Sequence, residues 1–294
     1  MTYILFNPIA NNGRGTSGLD DVRAALAGDD PVMCDITGVD TASFLTGLGP
    51  DDRVILCGGD GTLHRMMNDL GGVCPAVPIY MWRFGTGNDF LRDVDERNER
   101  MVLISPHLKN LPSAGIHGQK HFFLNGCSGG VDALVCRKMN EEREKKTSYV
   151  KTALRCFFRE YRPVSARVTV DGETRAYQDV WLAGAMNGRY QGGGMLFGPG
   201  QDRAGDQLLC YVWHGTGPLG TLLHFPAVIK GSYTRFARYC EIRRGHEIVI
   251  SWFYVFTVIL VLTFAIEIGQ QISHTGTLEF ADIVFGVFGF LFLF

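Results

Sequence analysis

The sequence predicts an α/β protein of two lobes. An N-terminal α/β lobe spans residues 1–130, a β-rich second lobe with a linking helix spans 131–251, and a hydrophobic tail of transmembrane helices spans 252–294. Three observations carry this expectation. Short apolar runs in the first third are each followed by a glycine turn and a helix-compatible segment, the pattern of parallel strands. A strand-rich stretch with a hairpin turn begins near Arg167. The last 44 residues are almost without charge.

Tyr3–Phe6 reads as the first strand, followed by a polar glycine loop from Asn7 to Gly18 and a helix through Leu26. Val54–Cys57, Ile79–Trp82 and Phe122–Leu124 are further strands. Arg137–Arg162 reads as a long charged helix or helix pair. Tyr149, Val150, Ala153, Leu154, Phe157, Phe158 and Tyr161 recur there at helical spacing, with basic residues between them. That face either packs on the second lobe or meets anionic lipid. Arg167–Val170 then starts a strand, Asp171-Gly172 makes a hairpin turn, and Val180–Ala185, Leu208–Trp213 and Ile248–Ile250 continue the sheet.

Composition excludes several classes. The chain has 28 basic and 30 acidic side chains, so no basic excess points to nucleic acid. Eight scattered cysteines include no C-x-x-C pair and predict reduced, buried thiols rather than zinc ligands. Residues 248–266 form nineteen uncharged positions, close to the roughly 20 that cross a bilayer. Arg235, Arg238, Arg243 and Arg244 precede that run and nothing basic follows it, which puts the body on the cytoplasmic face of the membrane, anchored by a C-terminal transmembrane segment.

Gly58-Gly59-Asp60-Gly61-Thr62 directly follows the Val54–Cys57 run and precedes the helix-compatible Leu63–Asn68. Glycines let backbone N–H groups approach a polyphosphate, and a helix N-terminus adds positive potential. An aspartate there suits a metal ion, a water network or a hydroxyl proton. Asn7-Pro8 with Asn11-Asn12-Gly13-Arg14-Gly15, Gly85-Thr86-Gly87-Asn88-Asp89-Phe90, Asn125-Gly126-Cys127-Ser128-Gly129-Gly130-Val131-Asp132-Ala133, and Gly192-Gly193-Gly194 are further polar glycine segments, read as turns. Asp89 reads as a cap for the helix that follows it.

Taken in this order, the segments resemble the diacylglycerol kinase catalytic-domain family, the bacterial-type lipid kinases with a two-lobed fold shared with NAD kinases. The resemblance runs from about Thr2 to Ser251. It implies ATP and Mg2+ as cofactors, a lipid substrate, and transfer of a phosphoryl group to a lipid hydroxyl, most simply diacylglycerol to phosphatidic acid. Asn7, Pro8 and Asn11 would hold phosphates, with Thr37 from the next strand end. Gly58, Gly59, Asp60, Gly61, Thr62 and His64 would cradle the nucleotide, and Thr86, Gly87 and Asn88 would sit beside it. Asp60 and Asp132 are the catalytic candidates, and Asp206 with the Leu208 carbonyl aligns with a magnesium site. His64 is equally readable as a packing or capping residue. The implied partners are the lipid and the membrane, with no nucleic acid, and a homodimer is left open.

The chain departs from the family at three places. Gln207 and Cys210 replace residues usual around the magnesium site. The Asp-Gly-Glu whose glutamate serves as base is expected just past Ser251, where Trp252-Phe253-Tyr254-Val255 stands instead. Asp171-Gly172-Glu173 lies at a hairpin, in the wrong place to supply it. Two alternatives therefore stay open, a catalytically impaired, membrane-tethered nucleotide-binding or regulatory protein and an NAD-kinase-type cofactor kinase. Glu267-x-x-Gln270 followed by Asp282-Ile283-Val284-Phe285-Gly286 is similar to the closing segments of VanZ-like membrane proteins.

Overall fold

Alternate residues of the first strands face opposite ways, and both sets are apolar, so these strands must be covered on two sides. The computed structural model describes residues 1–13, 15–84, 88–95, 97–141 and 149–253. In it β1 (Thr2–Phe6) pairs in parallel with β2 (Val32–Asp35) and β3 (Arg53–Gly58), and β3 with β4 (Ile79–Arg83). The antiparallel β5 (Met101–Leu103) closes the sheet, giving the order β2-β1-β3-β4-β5. Leu5, Val54, Leu56, Ile79 and Met81 form one core with Leu45 of α3 (Thr41–Thr46), Leu63, Met66 and Met67 of α4 (Asp60–Asp69), and Phe90 and Leu91 of α5 (Asp89–Val94). Ile4, Ile55, Cys57 and Trp82 face the other way, onto Leu19 and Val22 of α2 (Leu19–Ala25). The expected polar loop after β1 contains one helical turn, α1 (Ala10–Gly13).

Two differences from the sequence reading follow. The Phe122–Leu124 run is not a strand of its own, because β7 (Gln119–Phe122) ends there, paired with β6 (Ser113–Ile116) as a hairpin. The Asn125–Ala133 segment is not a turn: Gly126–Gly130 is β8, followed by helix α6 (Val131–Glu141). Close packing explains the glycines. A Cβ on Gly126 would lie 2.4 Å from Gln191 Oε1 and 2.5 Å from Met186 Sδ. At Gly130 (φ +114°) it would lie 2.3 Å from the Trp181 carbonyl oxygen.

The chain divides into two units, one of residues 1–129, 183–212 and 216–246, the other of 130–182, 213–215 and 247 onward. The first also holds a four-stranded sheet, ordered β13 (Cys240–Gly245), β12 (Leu208–Trp213), β11 (Leu182–Met186), β8, together with helix α8 (Pro218–Ile229). The second holds the three-stranded sheet β10 (Glu173–Val180), β9 (Val164–Val170), β14 (Ile248–Phe253). Asp171 and Gly172 turn the β9–β10 hairpin with φ of 47° and 84°, as expected. Among the described residues the charged helical region holds α6 and α7 (Tyr149–Arg155), and α7 passes into a π-helical turn at Cys156–Glu160. Phe157 stacks on the buried Trp181 at 4.6 Å, and the Tyr161 hydroxyl donates to the Val180 carbonyl. One face of this region therefore packs inward.

Cys57, Cys210 and Cys240 are free, buried thiols, as expected, whereas Cys136 is exposed. Burial pushes the thiols of Cys57, Cys210 and Cys240 up to about 12. Strand β14 continues through Trp252 and Phe253, two residues beyond the expected lobe end. The expected transmembrane helices and the VanZ-like segment fall on residues 254–294, outside the described residues. Among the described residues no helix is long and apolar enough to cross a membrane.

Candidate nucleotide site

Strand order decides where a ligand can sit. From β1 the chain moves to β2 on one side, then crosses to β3 on the other, so the β1/β3 boundary is a topological switch point. Ligands of open parallel sheets bind outside the strand ends at such a crevice. Asn7 follows β1 and Gly58 ends β3, so the two glycine-rich segments read from the sequence flank this point.

The end of β1 is shaped by a close approach. A Cβ on Gly15 would lie 1.7 Å from the Asn7 carbonyl oxygen, so no side chain fits there. The Asn7 side chain accepts from the Ile9 N–H and donates to Thr62 Oγ1 at 3.2 Å, bridging β1 to α4. Pro8 follows directly, and Asn11 lies in α1. Thr62 is buried, and a Cβ on Gly58 would strike it at 2.7 Å. Gly59 is the N-cap of α4 and offers no side-chain cap. Gly61 is exposed, with nothing within 4 Å of a built Cβ. An uncapped helix N-terminus, backbone-lined and open, has the form that accepts a phosphate.

Asp60 does not face that opening alone. Its Oδ2 accepts the Asp89 N–H at 2.7 Å and its Oδ1 the Phe90 N–H at 3.0 Å. It therefore caps α5 from another helix. Burial raises its pKa to about 6; the two N–H groups pull it down, Asp89 pushes it up and Arg203 pulls it down. The expectation that Asp89 caps its own helix is corrected. Its carboxylate instead accepts the N–H groups of Gly193 and Gly194, at 2.8 and 2.6 Å. Gly192, Gly193 and Gly194 all have positive φ, which is why that turn needs glycine. Burial raises the Asp89 pKa, against those two N–H bonds.

Sequence reasoning missed the next shell. Asp93, one turn along α5, binds Arg189 Nε at 2.7 Å and Arg203 Nε at 2.8 Å. Arg203 also donates to the Leu124 carbonyl and to Asn125 Oδ1, and its guanidinium lies 4.6 Å from the Phe90 ring centroid. A Cβ on Gly188 would collide with both Arg203 and Asp93. Helix α5 thus gathers four of the glycine-bearing segments. Nothing local in the sequence pairs Asp93 with arginines about a hundred residues away.

The remaining candidates are placed as follows. Asn88 is buried at the N-cap of α5, donates to the Phe84 carbonyl at 2.7 Å, and has its Oδ1 3.8 Å from a Cβ built on Gly59. Thr37 is exposed just past β2, its N–H and hydroxyl both bonded to Asp35 Oδ1. His64 lies on α4, its pKa lowered by burial and by His121. Thr86 and Gly87 lie outside the described residues. Asp132 belongs to the second unit, in the first turn of α6, where its Oδ1 accepts the Ala133 N–H at 2.8 Å. Asp206 is an exposed residue 3.3 Å from His246 Nε2, and Leu208 opens β12. Among the described residues no group of three or more His, Cys, Asp or Glu could hold a metal ion. The open α4 N-terminus fits a polyphosphate; Asp60, with both oxygens already accepting N–H groups, fits a cap better than a metal ligand.

Residues 1–109 match the model of the diacylglycerol kinase catalytic domain, and residues 125–258 that of the YegS C-terminal NAD kinase beta sandwich-like domain. A Mycobacterium tuberculosis protein named diacylglycerol kinase is 24% identical over 248 residues, 78% of each chain. The putative lipid kinase YtlR of Bacillus subtilis is 29% identical over 168 residues, 50% of this chain and 53% of its own. The crystal structure of a putative diacylglycerol kinase from Bacillus anthracis superposes with a TM-score of 0.62 at 21% identity, covering 86% of this chain and 85% of that one. The two-lobed α/β architecture is shared with it. With both domain models matched in order along its length, the chain belongs to the diacylglycerol kinase catalytic-domain family.

Proposed function

We propose that this protein is a lipid kinase that transfers the γ-phosphoryl group of ATP to a lipid hydroxyl, most simply diacylglycerol, at a membrane surface. One observation carries the reading: the open N-terminus of α4 stands at the β1/β3 switch point, held there by Asp60 on α5 and by Asn7 on Thr62. Phosphoryl transfer asks for alignment and charge neutralisation more than for covalent help. The Gly59–Gly61 backbone binds phosphate oxygens, Asn7 and Asn88 fix the walls on either side, and the buried Thr62 locks the turn. Magnesium bound with the nucleotide supplies charge neutralisation. Asp60 acts as a positioning residue, and its ionised form above about pH 6 is the one that accepts both N–H bonds.

The test is transfer of label from radioactive ATP, with magnesium, into mixed lipid micelles. Asp60→Ala should lower transfer by roughly a hundredfold, the cost of misplacing reacting groups by about an ångström. Labelled lipid that survives unchanged in Asp60→Ala sinks the role given to this residue. A second reading has its own support, because β14 runs on through Trp252-Phe253 where the family usually supplies an Asp-Gly-Glu base. ATP binding without transfer to any lipid would favour that nucleotide-binding regulatory protein. Label passing to a soluble dinucleotide would favour a cofactor kinase.

A further inference from the structure

Helix α8 wears its apolar side outward. Its twelve residues carry no charge, and the large apolar side chains that it buries reduce to Val228, beside Thr221 two turns earlier. The opposite face exposes Leu219, Leu222, Leu223, Phe225 and Ile229, with Leu219 at 70% and Leu223 at 79%. These positions recur at three- and four-residue intervals, so they form one stripe. Contiguous exposed apolar surface of this kind marks an interaction site.

Charge indicates what it meets. Lys230 follows the helix directly, and Arg235 and Arg238 are exposed in the segment after it. No acidic residue occurs between Trp213 and Glu241. That segment is fixed to the helix, since the His224 ring meets Phe236 at 4.4 Å and Tyr239 at 5.6 Å. The Tyr233 hydroxyl also donates to the Phe197 carbonyl. Among the described residues none of the three cations has a carboxylate partner.

We propose that α8 and residues 230–238 form a docking surface for an anionic phospholipid bilayer. The leucines, Phe225 and Ile229 enter the boundary between headgroups and acyl chains, and Lys230, Arg235 and Arg238 meet lipid phosphates. The proposal extends the lipid-kinase reading by naming the face turned to the membrane, but its test needs neither ATP nor transfer.

The full chain carrying Leu223→Trp is mixed with vesicles of phosphatidylcholine and phosphatidylglycerol whose chains are brominated, and tryptophan quenching is measured above the wild-type background. A Val73→Trp variant, at a position 67% exposed elsewhere in the first unit, is the control. Quenching is expected for Leu223→Trp and not for Val73→Trp. Adding Lys230→Gln, Arg235→Gln and Arg238→Gln should weaken partitioning by about fivefold per cation at low salt. Several results overturn the proposal: no quenching of Leu223→Trp, equal quenching in the control, or no difference between anionic and pure phosphatidylcholine vesicles. A blue shift with dimer formation in the absence of vesicles also overturns it, in favour of a second copy of the chain. Attachment through residues 254–294 alone would leave the two tryptophan variants alike. Labelled lipid from the micelle assay with no quenching here would remove the docking surface and leave the kinase reading intact.

Discussion

Replacing Asp60 by asparagine keeps one acceptor oxygen and sets an amide donor against a backbone N–H of α5. The expected loss is about 1–2 kcal/mol, the usual worth of a helix N-cap, read from urea denaturation. The pH dependence has a definite sign. Below about pH 4 the carboxyl is neutral in both folded and unfolded chains. Between that point and about pH 6 the unfolded chain releases the proton while the folded chain keeps it. This group's contribution is thus complete at low pH and declines as pH rises through the window. The stability difference, wild type minus Asp60→Asn, should fall from pH 4 to pH 6, within about a unit at either end. A difference that is flat across the window would show that burial does not govern Asp60.

Around α5, two arginines share one carboxylate unequally. The Arg203 side chain is 7% exposed and that of Arg189 31%, against 4% for Asp93. Arg203→Met should cost about 3–5 kcal/mol, as breaking a buried pair does, and Arg189→Met clearly less. Equal losses in thermal melts would refute this ranking. The same helix shows what could be read in advance. β1, β3 and β4 were legible because short continuous apolar runs that lead into polar, glycine-bearing loops have few other uses. The Gly58–Thr62 turn and Asn88 were legible from residue type. β8 was not, because Gly126, Ser128 and Gly129 are poor strand formers, and the packing of Met186 and Gln191 that leaves no room for a Cβ at Gly126 comes from distant residues. Asp89 read as a local cap because the glycines that it holds come 104 and 105 residues later.

Across the molecule, β14 is an edge strand of the second unit's sheet among the described residues. β14 pairs Trp252 with Ala166 and Phe253 with Ser165, and Arg167 lies 5.0 Å from the Phe253 ring centroid. A chain ending after Phe253 keeps all of these pairs, and one ending after Ser251 loses two of them. The first should melt close to the full chain and the second several degrees lower; identical melting of the two would mean that this strand end contributes nothing. The reach of α5 has a further consequence, for the order in which the protein is made. Asp93 waits for Arg189 and Arg203, 96 and 110 positions downstream. A nascent chain that has emerged only through residue 109 therefore exposes two acidic side chains whose partners are not yet synthesised. Closure of such distant contacts is slow, so the matched N-terminal segment should not fold as a free-standing fragment. Ribosome-bound chains should resist protease only once residue 203 has cleared the exit tunnel.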